Sequence, residues 1–272
     1  MKRIIHLVFL TFFLLNLTLS YHESQASEQA ISNSVNNVDR KKEHILRDKY
    51  RNPLETLSFF KIDQKMHILE ILPGKGYYAE ILGYFLKENG KLTVASFGDD
   101  HPVEYLRNMH NDFVDYFKKN EQNYGQINIV KFKRKNYLSD IKPGSIDLVL
   151  TFRNNHNWIN NGTENEIYKA INKVLKKNGM LGVVQHRADN SEKRIIDTKS
   201  GYVMENFLIE TIENNGFKLI SKSEINKNSL DTKDHPKGVW TLPPTFRLKE
   251  VNKEKYMKIG ESDRMTLKFI KN

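Results

Sequence analysis

The chain has no cysteine, which excludes disulfide staples, thiolate chemistry and lipid attachment through Cys. It also lacks a basic arm. Lys and Arg number 43 against 33 Asp and Glu, a formal charge of +10, yet the positive residues are spread along the whole length. Runs such as Lys131-Phe-Lys-Arg-Lys135 read as a solvated face, so the charge is no argument for a nucleic-acid partner. A membrane-spanning run is missing too. A spanning helix needs about 20 apolar residues, whereas the run from Ile4 to Leu19 is shorter and contains Asn16. No internal repeat and no second domain of convincing size are visible.

What is present begins at the N-terminus. Met1-Lys-Arg3, the apolar run and the small-residue stretch Ser24-Gln-Ala26 follow the charged, apolar and small order of an export signal. Residues 1–26 are therefore expected to be a signal peptide cleaved after Ala26. That would place the mature protein in the periplasm or outside the cell, with no retained transmembrane helix. Residues 27–42 read as a flexible lead-in, with helical segments up to Phe60 covering one edge of the core. Pro53 marks a helix start or break. Residues 43–272 read as one domain.

The stretch Ile68-Leu-Glu-Ile-Leu-Pro-Gly-Lys-Gly-Tyr-Tyr-Ala-Glu-Ile-Leu82 looks like a strand, a glycine turn and a helix. Apolar residues at Tyr78, Ile81, Leu82 and Phe85 give the helical spacing, Asn89-Gly90 stops it, and Lys91 to Ser96 is a second strand. Strand, helix and strand in that order almost require parallel pairing. Further strands are expected at Ile127–Phe132, Ser145–Phe152, Met180–Gln185, Phe217–Ile220 and Met265–Ile270. Helices fall at Pro102–Asn120, Asn165–Lys177 and Gly201–Asn215. Seven strands with crossover helices make an α/β, doubly wound, mostly parallel sheet, Rossmann-like, with the last strand antiparallel at an edge. In such sheets ligands bind outside the carboxyl ends of the strands, where Pro73, Gly74 and Gly76 lie. A turn of this length serves equally as a tight corner and as a ligand cradle.

These segments, with "SIDLVLTFRNNHNW", "VLKKNGMLGVVQH" and "DRMTLKFIK", resemble the exported branch of the class I S-adenosylmethionine-dependent methyltransferase-like superfamily. The resemblance covers Glu43 to Asn272 and implies S-adenosylmethionine as cofactor. It places Glu70, Pro73, Gly74 and Gly76 against the methionine part of the cofactor, Ser96 near the ribose and Asn136 near the adenine. Three departures stand out. Leu72 occupies a position that is commonly glycine. Ser96 stands where an acid usually ends the second strand, leaving Asp99 or Asp100 to serve instead. Lys135-Asn136-Tyr137 replaces the usual acid after the third strand.

At the same rim, Arg153-Asn-Asn-His-Asn-Trp158 follows the fourth strand and His186 ends the fifth. His156 and His186 could orient or deprotonate an acceptor, since imidazole titrates near neutrality. Arg153, Trp158 and Tyr202 are candidates for holding the substrate. The two histidines lack a compact ligand set around them, so no metal is expected. Asp231, Asp234 and His235, in the long stretch after the sixth strand, are either substrate contacts or solvent-facing. The expected activity is methyl transfer to a small-molecule or envelope acceptor. The alternatives are a noncatalytic binding or interaction protein on the same fold, and hydrolase or lyase chemistry on the two histidines, which no marked Ser or Cys nucleophile supports. The short glycine turn also argues against a dinucleotide oxidoreductase.

Overall fold

The protein is described by a computed structural model over residues 27–189 and 198–272; the expected signal peptide lies outside the described residues. Seven strands form one sheet in the order β3-β2-β1-β4-β5-β7-β6. They are β1 (His67–Ile71), β2 (Lys91–Ser96), β3 (Asn128–Lys131), β4 (Ile146–Phe152), β5 (Leu175–His186), β6 (Phe217–Ser223) and β7 (Arg264–Lys271). The first five are mutually parallel, and β7 runs antiparallel to both β5 and β6. The antiparallel element is thus at the expected end of the sheet, one place in, with β6 outermost. β1 and β4 are the central strands. Their side chains alternate between the two faces, and both faces are covered, which is why they read as near-continuous apolar runs.

One face carries α9 (Glu164–Val174) and α10 (Glu205–Glu213), whose Ile167, Ile171, Leu208 and Ile212 pack on Leu69, Val149, Val183 and Leu267. The other carries α4 (Pro53–Phe60), α5 (Tyr77–Leu86) and α6 (Glu104–Lys119), with Phe60, Ile81, Phe85 and Phe113 over Ile68, Val94 and Leu150. Two short helices, α7 (Glu121–Tyr124) and α8 (Asn155–Asn160), precede β3 and α9. Pro53 is the first residue of α4, where its missing N–H costs nothing.

The stretch expected to be a flexible lead-in is instead a helix, α1 (residues 27–35), followed by α2 (Lys42–Ile45) and α3 (Asp48–Arg51). Only about one residue per turn of α1 faces the core, which made it look polar: Ile31 is 2% exposed, and Ser27 Oγ donates to the Ile62 carbonyl at 3.0 Å. This segment wraps the outer side of α5. There Glu80, fully buried, accepts from the Lys41 N–H at 3.3 Å and meets His44 Nδ1 at 2.9 Å.

A second correction concerns β5. Asn178-Gly179 looked like a helix stop, but α9 ends at Val174 and the strand begins at once with Leu175. It accommodates Asn178 in the left-handed region, φ 60°, beside a register shift against β4. The third trims α10, which starts at Glu205 rather than Gly201. The residues before it include a 3-10 turn, Thr198–Ser200, and a parallel bridge from Val203 to Arg187.

Candidate functional site

The chain leaves β1 through a turn in which every second residue is left-handed: Leu72 at φ 51°, Gly74 at 60° and Gly76 at 90°. The two glycines do different work. A Cβ at Gly76 would sit 2.9 Å from Phe117 and 3.2 Å from Phe113, so Gly76 is demanded by packing of α6 against the turn. A Cβ at Gly74 would meet nothing within 4 Å. That open side is where a ligand can reach the backbone. Leu72 takes a conformation that costs a β-carbon-bearing residue about 1 kcal/mol or more. It is held there by its N–H bond to the Ala95 carbonyl at 2.8 Å, and Asn154 Nδ2 donates to the neighbouring Ile71 carbonyl at 2.9 Å. Arg153, the first residue after β4, is also left-handed at φ 65°. Two strained residues side by side at the carboxyl ends of the central strands are the pattern of a functional rim.

Two cavities meet at Leu72, Asn154 and Asn157. One, about 260 Å³, is walled by Arg51, Glu70, Gly74, Arg153, His156 and His186. Tyr78 and Phe152, stacked with ring centroids 3.7 Å apart, also line it. The other, about 720 Å³, is lined by Phe97, Asp100, His101, Phe132, Tyr137 and Trp158. Small-molecule sites run roughly 300–1,000 Å³. The smaller, charged chamber and the larger, aromatic one lie next to each other at the β1–β4 junction, with Leu72, Asn154 and Asn157 as their common wall.

The charged chamber is electrostatically lopsided. Glu261 is buried, and burial alone would raise its carboxyl. Arg51, Arg264, Arg47 and Arg153 together hold it well below the usual carboxylate range instead. Arg47 Nε donates to it at 2.6 Å, Arg264 Nη1 at 3.0 Å and Arg51 Nε at 3.4 Å, with Arg153 Nη1 at 4.0 Å. Four guanidinium groups therefore face one ionised carboxylate. Glu70 does not redress the balance. Burial pushes its carboxyl up to about 8, against the pull of Arg51 and Arg153, so near neutrality it is largely protonated. Its Oε2 is buried without a hydrogen-bond partner among the described residues, as is Arg51 Nη2.

Both histidines are buried, with ring centroids 5.8 Å apart. The Gln185 amide orientation is fixed twice, because Oε1 accepts the Asn155 N–H at 3.2 Å and Nε2 donates to the Gly201 carbonyl at 3.0 Å. The second Nε2 proton then goes to His156 Nδ1 at 3.3 Å. A neutral His156 must carry its own proton on Nε2. Burial lowers its pKa to about 4, opposed by the Gln185 bond and aided by Arg153. Such a ring is a hydrogen-bond donor and a poor base. His186 is also driven well down, by burial first and then by His156 and Arg153, and its Nδ1 lies 2.5 Å from Ser262 Oγ.

The structure thus brings Glu70, Pro73, Gly74, Arg153, His156 and His186 to one chamber, and Trp158 to the other. Gly76 lies beneath the turn. Ser96 and Asn136 are on neither wall: Ser96 Oγ is engaged by His110 Nδ1 at 3.0 Å, and Asn136 lines a separate surface cavity with Lys135 and Glu166. Asp99 and Asp100 both engage the Lys131 ammonium, and Asp100 also lines the aromatic chamber. Tyr202 is buried behind His186, its hydroxyl donating to Asp231 at 2.8 Å. Asp231 and His235 are buried partners at 2.8 Å, whereas Asp234 is exposed. Arg51, Tyr78, Trp240 and Glu261 were missed. Their partners are far away in sequence, and no local spacing announces them.

No family model and no curated protein matches the sequence. Solved structures do match the fold. A SAM-dependent methyltransferase from Aquifex aeolicus superposes with a TM-score of 0.57 at 13% identity, over 88% of this chain and 97% of its own. The cyclase SpnF gives 0.54 at 12% identity, over 92% and 94%. CrArsM, an arsenic(III) S-adenosylmethionine methyltransferase from Chlamydomonas reinhardtii, gives 0.50 at 13%, over 89% and 72%. The chain has the class I methyltransferase-like fold. At these identities the likeness extends to the fold and leaves the chemistry to be argued from the cleft.

Proposed function

We propose that this chain is an S-adenosylmethionine-dependent methyltransferase acting on a small-molecule or envelope acceptor. The observation that carries the reading is the β1–α5 turn, where Gly74 leaves open backbone beside a buried Glu70 whose Oε2 has no partner. An unpartnered buried carboxyl oxygen suits the ammonium of the cofactor's amino-acid part, and a cation there would restore its ionised form. Phe132, Tyr137 and Trp158 in the adjoining chamber suit an adenine ring. When bound, the cofactor supplies an electrophilic methyl group on a sulfonium. The chain's own work is then mostly positioning, which supplies much of the rate in such transfers. His156 offers a hydrogen-bond donor through Nε2 and His186 stands beside it. The Tyr78–Phe152 stack and Trp240 give that end aromatic walls.

A second reading, a noncatalytic ligand-binding or interaction protein on the same fold, is favoured by the ribose side, where Ser96 is tied to His110 and the two aspartates to Lys131. Calorimetric titration with S-adenosylmethionine and S-adenosylhomocysteine separates the two. Saturable one-site binding, weakened about tenfold or more in Glu70→Gln through loss of a charge-assisted bond, is expected. Absence of binding by the folded protein would leave the second reading standing.

Export is part of the proposal, on the strength of the Met1 to Ala26 pattern alone. No helix among the described residues is long and apolar enough to cross a membrane. Mass spectrometry of the N-terminus from fractionated cells should find Ser27 first; an intact Met1 would remove the export claim.

A further inference from the structure

The arginines of the charged chamber exceed what the cofactor reading uses. Glu261 accepts from Arg47, Arg264 and Arg51 at 2.6, 3.0 and 3.4 Å, so its two oxygens are already shared when Arg153 approaches at 4.0 Å. Arg51 is 2% exposed, lines the chamber, and has its Nη2 buried without a partner among the described residues. Its guanidinium lies over the Tyr77 ring, 4.3 Å from the centroid, which fixes its plane and leaves its edge for hydrogen bonding. Arg153 lines the same chamber, keeps 28% side-chain exposure and is anchored by a strained backbone at the end of β4. A buried guanidinium with an unmade hydrogen bond is costly, and Arg51 lines a chamber in which a ligand can complete it. The cofactor's amino-acid part with its sulfonium carries a net positive charge, so its arrival would deepen the imbalance rather than relieve it.

Resting on the methyltransferase reading, we propose that the acceptor is an anionic small molecule whose carboxylate or phosphate is clasped between Arg51 and Arg153, beside the Nε2–H of His156. Planar guanidinium forks match both oxyanions bidentately. The excess of Lys and Arg over Asp and Glu draws such a ligand toward the protein.

The test is calorimetry on the purified protein with inorganic phosphate and, separately, succinate, each with and without saturating S-adenosylhomocysteine. Saturable binding of at least one probe is expected, with the better probe telling phosphate from carboxylate. Binding should persist when S-adenosylhomocysteine is present. Arg153→Gln should weaken it about tenfold or more, and Arg51→Gln likewise. Should Arg51→Gln fail to fold, Arg153→Gln, at the more exposed position, carries the test. The proposal is overturned if neither probe binds into the millimolar range, if Arg153→Gln binds as the parent does, or if S-adenosylhomocysteine displaces the probe. Displacement would give the arginines to the cofactor's carboxylate. Arginine-dependent probe binding by a protein that ignores S-adenosylhomocysteine would sink the cofactor reading while keeping the anion site.

Discussion

Along β7, Met265, Leu267 and Phe269 turn to one side of the sheet and are fully buried with Ile171, Leu208 and Ile212, while Arg264, Thr266 and Lys268 turn to the other and are buried nearly as deeply. The first set needs only area and shape. Each member of the second needs a named partner: Lys268 Nζ donates to the Phe59 carbonyl at 2.8 Å, Thr266 Oγ1 accepts from Asn226 at 3.0 Å, and Arg264 donates to Glu261 at 3.0 Å. The apolar face holds the sheet together by burial, which any well-shaped apolar side chain can supply. The polar side of β7 is specified bond by bond, although the rest of that sheet face is apolar under α4, α5 and α6; beside the charged chamber the bonding is incomplete at Glu70 and Arg51. Function is to be sought where a demanding face stops short of satisfying itself.

The contrast can be broken most severely at Glu261. Glu261→Gln leaves four arginines without their counter-charge, and a loss of about 3–5 kcal/mol in denaturant unfolding is expected. A loss below about 1 kcal/mol would mean that the network is solvated after all. On the apolar face, Leu267→Ala should cost about 2–5 kcal/mol through lost burial and the remaining cavity. Affinity for S-adenosylhomocysteine should stay unchanged in that variant; a coupled fall would show that the two faces are not separable.

The titration of the buried polar groups beside the chamber sharpens the comparison. Glu70 is raised from 4.5 to about 8, chiefly by burial. Its contribution is whole below the unfolded value and is lost as pH rises through the folded one. His156 runs the other way, from 6.5 down to about 4, so its contribution is whole above 6.5 and fades as pH falls toward 4. The two slopes oppose each other where the windows overlap, so this pair should leave stability flat from about 4.5 to 6.5 and lower it on either side. Glu70→Gln should melt higher than the parent at pH 8, by roughly 2–4 °C for each kcal/mol relieved, and show no such gain at pH 5. An equal shift at both pH values would refute the assignment.

The smallest effect is expected at Leu72. Leu72→Gly removes left-handed strain but frees the unfolded chain, so stability should change by no more than about 1 kcal/mol. Because Leu72 lines both cavities, the same change should tighten S-adenosylhomocysteine binding. Weaker binding would show that the leucine side chain is itself a contact.

Much of this architecture was legible because it is written in local periods. Alternation and near-continuous apolar runs gave all seven strands, helical spacing gave α5, α6, α9 and α10, and the glycine turn marked the end of β1. The misread places share a cause. α1 shows one apolar residue per turn, too few to stand out, and Asn178-Gly179 is a stop signal that a register shift absorbs. At the rim, Gly74, Arg153, His156 and His186 were visible because they lie at or within a few residues of a strand's carboxyl end, whereas Glu70 came from the family resemblance. Arg51 and Glu261 were not, since an ion pair spanning 210 residues leaves no spacing to read. Ser96 and Asn136 were placed by analogy with other chains, and the structure gives Ser96 a bond to His110 that no pattern foretold.

The joining of Arg47 and Arg51 to Glu261 has a consequence for the order of events during synthesis. The arginines emerge early, yet their carboxylate is made more than 200 residues later, as are Arg264 and β7 itself. Contacts this far apart in sequence form late and slowly. A nascent chain can thus complete the β1 turn and its helix long before the chamber beside them is neutralised. Chains interrupted before residue 261 would present bare guanidinium groups in place of a finished site, a signature that polyanions in the cell would meet before any ligand did.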